Sequence, residues 1–348
     1  MRHGSRQAWN ALTDRSLAGI KSADPVYRPT NFWGPGLEQL LADMSTHGLE
    51  KFKSWPSARV WFYPTYGSGF SEAMIKELTE HSRTINSRTN PGFIFSALSG
   101  GYEARRDFDA ACLAWNQDRW PMDLFGYGES EIGQRPQGFS VLEPGPLKYG
   151  RAYANYLLCL AALSNHVDKP QTSFLEIGGG YGVLGEIVMS RDQRARYVDL
   201  DIPPLLTVAS YYLTELFGQT KVRVFNEDVP SSGPIELSSS AVLPNWRIDD
   251  VHGDFDVFVN SFSFQEMEPP VVDHYISAVC DKGVRYAVSL NSRNGKPKAA
   301  SAGDWGALDP VRSADIVKMF ERRGYSLLSQ YDQPLIRGAA QLVILKRD

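Results

Sequence analysis

The spacing of hydrophobic positions changes near residue 165. Before that point apolar residues recur with the period of a helix, interrupted by Pro and Gly. This pattern predicts helices over 37–49, 71–81, 104–115 and 149–163. Residues 1–30 are polar and weakly periodic, and we expect them to form a loosely packed arm. Residues 1–165 are therefore expected to form a mainly helical cap and substrate domain.

After residue 165, short β-branched or apolar runs alternate with segments of helix length. The predicted strands are 174–177, 197–200, 222–225, 255–259, 286–290, 326–331 and 341–346. The predicted helices are 183–191, 203–217, 270–280 and 312–323. This alternation predicts an α/β fold over residues 166–348, with a mainly parallel, Rossmann-like sheet. The last two strands are close enough in sequence to form an antiparallel hairpin at the sheet edge.

Composition narrows the class of protein. The chain has 348 residues, 43% of them hydrophobic, and a net charge of −4, which is typical of a soluble globular protein and disfavours nucleic acid as a partner. Its cysteines, Cys112, Cys159 and Cys280, are scattered, which favours a reducing compartment and no zinc site. We expect no required metal. No apolar run suits a signal peptide or a membrane span, so a cytoplasmic protein is expected.

The strongest chemical signal is a glycine-rich loop between the first strand and the next helix. Gly178, Gly180 and Gly182 occupy that loop, where their missing Cβ atoms let the backbone turn tightly and approach a ligand. Glu176 precedes the loop, and its carboxylate would repel a pyrophosphate such as that of NAD. It could instead accept a hydrogen bond from a cationic amino group. The loop therefore favours S-adenosylmethionine (SAM), which carries an ammonium and a sulfonium but no phosphate.

Polar residues at the ends of the following strands complete a predicted cofactor site. Asp201 ends the second predicted strand, where it can accept hydrogen bonds from both ribose hydroxyls, and Asp199 competes for this role. Asp228 follows the third and could contact the adenine amino group. Asn260 and Ser261 follow the fourth and are expected on the ligand side of the sheet.

Candidate catalytic residues follow the same fourth strand. Glu266 is the first candidate for a general base and Gln265 for a positioning amide, although Glu266 could instead begin or cap a helix. Tyr181, inside the glycine loop, and Tyr149 could present ring faces to the positive sulfur of SAM. Residues 61–67 form an aromatic stretch, which suits either a helical core or the lining of a substrate pocket. No histidine stands in a motif.

These motifs together resemble class I SAM-dependent methyltransferases, and more narrowly a sugar O-methyltransferase-like group. The resemblance covers about residues 130–348 and rests on segments 175–182, 201–204 and 260–267. It departs from that group at Gln134 and Arg135, where Asn-Pro is commoner. It implies a seven-stranded sheet, and SAM binding by Glu176, Gly178, Gly180, Asp201 and a residue near Asp228.

Three functions remain open at this stage. The first is an O-methyltransferase acting on a sugar or another small polar metabolite by SN2 methyl transfer. The second is a cyclase that converts SAM into azetidine-2-carboxylate and methylthioadenosine, because enzymes with this activity also resemble this group. The third is a regulatory protein that binds SAM without turnover. In each case the partner is a small molecule, and a homodimer is possible.

Overall fold

The cap is a set of helices that precede the sheet. The computed structural model describes residues 6–66, 72–88, 90, 98, 100–135, 147–226, 229, 232–335 and 339–348. The helices predicted before residue 165 are confirmed, with ends shifted by a few residues. The cap helices are α1 (Arg6–Ser22), α2 (Gly34–His47), α3 (Ala58–Trp61), α4 (Glu72–Ile85), α5 (Gly101–Ala114) and α6 (Arg151–Leu163).

The expectation of a loose N-terminal arm is wrong, because residues 6–22 form the well-packed helix α1. Trp9, Leu12 and Ile20 are buried on one face of this helix. The hydroxyl groups of Thr13 and Thr207 lie 2.9 Å apart, so this hydrogen bond joins α1 to the α/β domain predicted for residues 166–348. The helical period of α1 is hard to detect in the sequence because its buried face includes Thr and Ser as well as apolar side chains.

A single large sheet follows, as predicted for residues 166–348. Its strands are β1 (Ser173–Ile177), β2 (Arg196–Asp201), β3 (Val222–Val224), β5 (Ser240–Pro244), β7 (Val257–Ser261), β8 (Tyr286–Ser292), β9 (Tyr325–Asp332) and β10 (Ala340–Arg347), while β4 (Ile235–Glu236) and β6 (Val251–His252) pair separately. The order in space is β3-β5-β2-β1-β7-β8-β10-β9. All neighbours are parallel except β10, which is antiparallel to β8 and β9. The mixed α/β class and the terminal hairpin are confirmed, with eight strands instead of seven.

The strand beside β2 is one that the sequence analysis missed. Ser240–Pro244 pairs with β2, and Val222–Val224, the predicted third strand, is displaced to the edge. The missed strand is short and follows a stretch rich in Ser, Gly and Pro, which disguises it as a loop. Asn245 therefore follows the strand next to β2. The predicted adenine contact, Asp228, lies outside the described residues.

Helices on both faces of the sheet complete one continuous core. The helices are α7 (Val183–Arg191), α8 (Leu205–Phe217), α9 (Pro269–Asp281) and α10 (Ser313–Glu321), close to their predicted bounds. Buried residues of the cap and of the sheet belong to the same hydrophobic cluster. None of the described helices combines the length and apolarity that crossing a bilayer requires. Within the described ranges, no three His, Cys, Asp or Glu side chains are grouped to hold a metal ion.

Candidate functional site

A cavity lies at the carboxyl ends of the central parallel strands, beneath the cap. About 1010 Å³ of space free of protein atoms lies between its walls, part of it open to solvent. The sheet contributes the loops after β1, β2, β5 and β7, and the cap contributes residues from 27–33, 60–63 and 152–156. This is the edge at which parallel α/β sheets bind ligands.

The glycine loop forms the floor of this cavity. Gly178 and Gly180 line it, and Gly182 ends the loop at the start of α7. All three have positive φ angles, of 73°, 67° and 88°, which glycine adopts at little cost. A Cβ on Gly178 would also lie 2.1 Å from the hydroxyl oxygen of Ser263, so the loop after β7 requires glycine at this position. The glycine loop therefore lies between β1 and α7, as predicted.

Asp201 lines the cavity at the end of β2, as the sequence analysis expected for a ribose-binding residue. Its carboxylate accepts hydrogen bonds from the backbone N–H groups of Gly180, at 3.0 Å, and Ile202, at 2.7 Å. Burial, followed by the charge of Asp199, raises the pKa of Asp201 well above its usual range. The contact to Gly180 gives Asp201 a second role, because it also holds the glycine loop in place.

Glu176 does not lie where the sequence analysis expected it. Its side chain is fully buried beneath the loop and is absent from the cavity lining. Its two oxygens accept hydrogen bonds from the hydroxyls of Tyr156 and Tyr197, each at 2.6 Å. The prediction of direct ligand contact is therefore corrected: because strand β1 directs this side chain into the core, Glu176 reaches the cavity only through its charge and through Tyr156, which lines it.

Three carboxyl groups are thus buried together around the glycine loop. Asp199 accepts a hydrogen bond from the Gly179 N–H at 3.1 Å, and its other oxygen has no partner among the described residues. Burial raises the pKa of Asp199 and, together with the charge of Asp199, that of Glu176. Among the described residues that line the cavity, the only Lys or Arg is Arg28, whose guanidinium donates to backbone carbonyls of the cap. A cation bound at the loop would therefore favour the ionised forms of these carboxyl groups.

The residues after β7 divide into supporting and lining groups. Asn260 is fully buried and does not line the cavity; its amide donates to the Ile177 carbonyl at 2.9 Å and accepts from the Phe264 N–H at 3.0 Å. Ser261 lines the cavity, as predicted, and so does Phe262, which has a φ of 61°. A non-glycine residue in this left-handed region is strained, and such strain concentrates at functional sites. Asn260 thus shapes the site without contacting the space inside it.

Glu266 lies in the segment after β7 and lines the cavity. It ends a short helical turn, and its carboxylate accepts from the Lys296 ammonium at 2.9 Å and from the Trp33 indole. Burial raises the pKa of Glu266 to about 7, although Lys296 and Trp33 favour its ionised form. The Thr30 hydroxyl donates to the backbone carbonyl of Glu266 at 2.6 Å. A carboxylate with this pKa can accept a proton near neutral pH.

Two predicted site residues lie away from the cavity. The side-chain oxygen of Gln265 accepts from the Ser292 N–H at 2.7 Å, so this amide joins the loop to β8. The hydroxyl of Tyr149 donates to the Phe125 carbonyl at 2.6 Å, and its ring packs in the core of the cap. Neither residue is part of the lining. Both predictions are corrected, because sequence proximity to the motif did not reveal which way each side chain points.

Tyr181 lines the cavity from within the glycine loop, but its hydroxyl points into a buried polar network. It donates to Glu129 at 3.1 Å, and the same carboxylate oxygen is 2.7 Å from the ammonium of Lys53. The hydroxyl of Tyr212 lies 3.2 Å from that ammonium and donates to Glu186 at 2.7 Å. This network joins the cap to α7 and α8. Tyr181 is therefore held by its hydroxyl, and only its ring remains for a ligand.

The cap wall is aromatic, which agrees with one of the two interpretations of residues 61–67. Trp61, Phe62 and Tyr63 line the cavity together with Trp33. The rings of Trp33 and Trp61 are stacked, with centroids 4.6 Å apart and planes inclined by 30°. Tyr63 has a φ of 47°, so a strained turn presents it.

Two asparagines in the lining were not found from the sequence. Asn155, on α6, and Asn245, after β5, each bury an oxygen that has no partner among the described residues. The amide of Asn245 also donates to the Tyr27 carbonyl and to the Tyr275 hydroxyl, each at 2.7 Å. A buried amide oxygen normally accepts a hydrogen bond, so both are candidates for ligand contact. No sequence pattern marks either residue, since Asn155 lies inside a helix and Asn245 follows the missed strand.

Comparisons with known proteins add little at the level of sequence. No family model matches the chain, and no curated protein matches it. Among solved structures, the chain is similar to the pyocyanin biosynthetic protein PhzM, with 17% identity over 56% of this chain and 57% of that chain and a TM-score of 0.37. It thus spans little more than half the length of PhzM.

Two further solved structures belong to proteins whose names state an activity. The mitomycin 7-O-methyltransferase MmcR shares 14% identity over 99% of this chain and 74% of its own, with a TM-score of 0.39. The magnesium protoporphyrin IX methyltransferase ChlM from Synechocystis PCC 6803, with bound SAM, shares 12% over 51% and 71%, with a TM-score of 0.36. Similarity this low carries no argument about activity, and the fold class of the chain stands on the strand order described above.

Proposed function

We propose that this protein binds SAM and transfers its methyl group to a hydroxyl group of a small molecule. The observation that carries the proposal is the group of buried carboxyls around the glycine loop. Glu176, Asp199 and Asp201 are buried there, and Arg28 is the only Lys or Arg among the described lining residues. Burial raises the pKa of these groups, and a bound cation would favour their ionised forms, whereas the negative charge of a pyrophosphate would oppose them.

The hydrogen-bonding groups of the cavity suit the donors that SAM carries. SAM presents an ammonium, two ribose hydroxyls and an adenine amino group, all of which can donate hydrogen bonds. Asp201, Asn155 and Asn245 are acceptors in the lining, and the two asparagine oxygens have no partner among the described residues. We assign Asp201 and Asn245, at neighbouring strand ends, to the nucleoside, and Asn155 to the amino acid part.

The residues around Glu266 suit the acceptor. SAM supplies an activated methyl group, and the protein must align a hydroxyl with it, exclude water and remove the hydroxyl proton. Glu266 lines the cavity and has a pKa raised to about 7 by burial. It is therefore the base that accepts the proton. The cap residues above it exclude water from the transferring group.

Binding and turnover test the proposal in sequence. Calorimetry with SAM, S-adenosylhomocysteine (SAH) and NAD should show binding of the first two and none of NAD. Incubation with SAM and pooled hydroxylated small molecules, followed by mass spectrometry, should yield SAH and a methylated product. The Glu266→Gln variant should still bind SAM but form product at least about a hundredfold more slowly, because a general base contributes this much.

A SAM-only reaction separates the alternatives. Methylthioadenosine formed without an acceptor would indicate the cyclase, and tight SAM binding without any product would indicate a regulatory protein. Preference for NAD over SAM would contradict the proposal at its first step. A sugar as the acceptor remains a prediction from the sequence resemblance.

A further inference from the structure

We infer that the acceptor is a flat aromatic ring carrying a hydroxyl group, bound against the Trp33–Trp61 stack with that hydroxyl facing Glu266. The inference rests on the proposed function, since it names the acceptor of the same site. It departs from the sugar acceptor that the sequence resemblance implies. It is based on the aromatic rings of the cap wall and on the polar groups beside them that already have hydrogen-bond partners.

The first step is the position of the stack relative to the carboxylate. Trp33 and Trp61 both line the cavity, and the Trp33 indole donates its hydrogen bond to Glu266. The edge of the Trp33 ring and the base are therefore adjacent. Phe32 is buried behind the stack, with its ring centroid 5.8 Å from that of Trp61. A rigid aromatic wall of this kind binds another flat ring by offset or edge contact.

The second step is that several polar groups beside the Trp33–Trp61 stack already have partners. The Thr30 hydroxyl donates to the Glu266 carbonyl, and the Trp61 indole lies 3.4 Å from the side-chain oxygen of Gln39. The Tyr27 hydroxyl donates to Asp249 at 2.7 Å. A sugar brings several hydroxyls, and each one that is buried without a partner destabilises the complex. A ring with one hydroxyl needs only Glu266.

The third step concerns the acidity of the acceptor hydroxyl group. A phenol ionises at about pH 10, judged from tyrosine, whereas an aliphatic hydroxyl is far less acidic. The pKa of Glu266, about 7, lies within reach of a phenol. In the reaction, Glu266 accepts the phenolic proton while the phenolic oxygen forms a bond to the methyl carbon. The carbon–sulfur bond breaks with its electron pair left on sulfur, which gives SAH, and Glu266 returns the proton to solvent.

Binding in the presence of SAH tests the inference without turnover. The probes are 7-hydroxycoumarin, as a flat phenol, and methyl glucoside, as a sugar of similar size. With SAH bound, calorimetry should detect the hydroxycoumarin and not the glucoside. Trp61→Leu should weaken hydroxycoumarin binding about three- to tenfold, the size of one aromatic contact, while SAH affinity stays unchanged.

Trp305→Leu is the matched control. Trp305 contacts Phe32 and Trp61 in the same cluster but is half exposed and does not line the cavity, so its loss should change hydroxycoumarin affinity by less than about twofold. SAH binding confirms that each variant is folded. Stronger binding of the glucoside, or equal losses in the Trp61 and Trp305 variants, overturns the inference and leaves the proposed function intact. Failure of the wild-type protein to bind SAM or SAH overturns both.

Discussion

The ammonium of Lys296 lies 2.9 Å from Oε1 of Glu266, which lines the cavity. Lys296 comes from the long connection between β8 and α10, which also meets the cap through Asn31. The pair controls the ionisation of Glu266, because burial alone favours the neutral acid and the ammonium opposes that effect. The base is therefore tuned by a residue from a distant part of the chain.

Loss of Lys296 should move the pH dependence of methyl transfer. Only the ionised form of Glu266 accepts a proton. In the wild-type protein the rate should therefore increase with pH, with a midpoint at the pKa of Glu266, about 7. Lys296→Met removes the charge that favours the carboxylate and should shift this limb upward by about one pH unit. Lys296→Arg keeps the charge and should leave the limb near its original position. Rates measured from pH 5.5 to 9 decide this, and an unshifted limb in the Met variant would exclude the coupling.

The buried carboxyl groups around the glycine loop should make the ligand-free protein less stable as pH rises. Burial raises the pKa of Glu176 to about 8 and that of Asp199 to about 7. Groups raised in this way contribute full stability below their unfolded pKa, about 4, and lose it as pH passes through the folded values. The melting temperature should therefore fall by at least about 3 °C between pH 5.5 and 8.5.

Glu176→Gln is the variant that checks this assignment. Glutamine keeps the shape of the side chain and cannot ionise, so the decrease in melting temperature should become smaller by thermal-shift measurement. Excess SAM should also raise the melting temperature more at pH 8.5 than at pH 5.5, since the ionised carboxylates attract its positive charge. An equal decrease in the variant and the wild type would remove Glu176 from this role.

Gly178 should tolerate no side chain because of Ser263. In Gly178→Ala the new Cβ would meet the Ser263 hydroxyl at 2.1 Å, so the loop must shift and SAM affinity should fall at least about tenfold. Gly218→Ala is the matched control, with a φ of 82° and no atom within 4 Å of the Cβ. Both variants should also lose stability, on the order of 1–3 kcal/mol, because a residue with a Cβ is strained at positive φ. The double variant Gly178→Ala/Ser263→Gly removes both clashing atoms, the Ser263 hydroxyl oxygen at 2.1 Å and its Cβ at 2.7 Å, and should recover part of the SAM affinity. No recovery would argue against the steric explanation.

Asp201 and Asp199 should differ sharply in their contribution to SAM binding. Both oxygens of Asp201 accept from backbone N–H groups, so the amide nitrogen of Asp201→Asn would face a donor. SAM affinity should fall by at least about 1 kcal/mol. Asp199→Asn can place its nitrogen at the oxygen that has no partner among the described residues, so calorimetry should show little change. The reverse order would assign the nucleoside contact to Asp199.

The buried ammonium of Lys53 should be essential for the attachment of the cap. Lys53→Met removes a donor from the Glu129 carboxylate and from the Ser130 carbonyl, while Arg135 remains as a charged partner of Glu129. The loss of hydrogen bonds to a buried charge should therefore cost about 1–3 kcal/mol. Lys51→Met changes an exposed neighbour and should alter stability by less than about 0.5 kcal/mol. Urea denaturation measures both, and similar midpoints for the two variants would show that the network contributes little.

The sequence by itself determined the α/β class, most helices and strands, and the glycine loop. These features are local, because hydrophobic period and the φ freedom of glycine act within a few residues. The positions of Asp201, Ser261 and Glu266 on the cavity wall also followed from their place at strand ends. Strand β5 was missed because a short apolar run after Ser and Gly carries no period long enough to detect.

Only the tertiary structure decided which way the side chains point and which distant residues meet them. Glu176 turns into the core to meet Tyr156 and Tyr197, although its place before the loop suggested ligand contact. Glu266 acquires Lys296 and Trp33 from separate segments. Such contacts depend on how helices and loops pack across the sheet, and no local pattern encodes that geometry. The sequence therefore shows which carboxyl groups lie near the glycine loop. Folding decides which of them face the cavity and which basic side chains meet them.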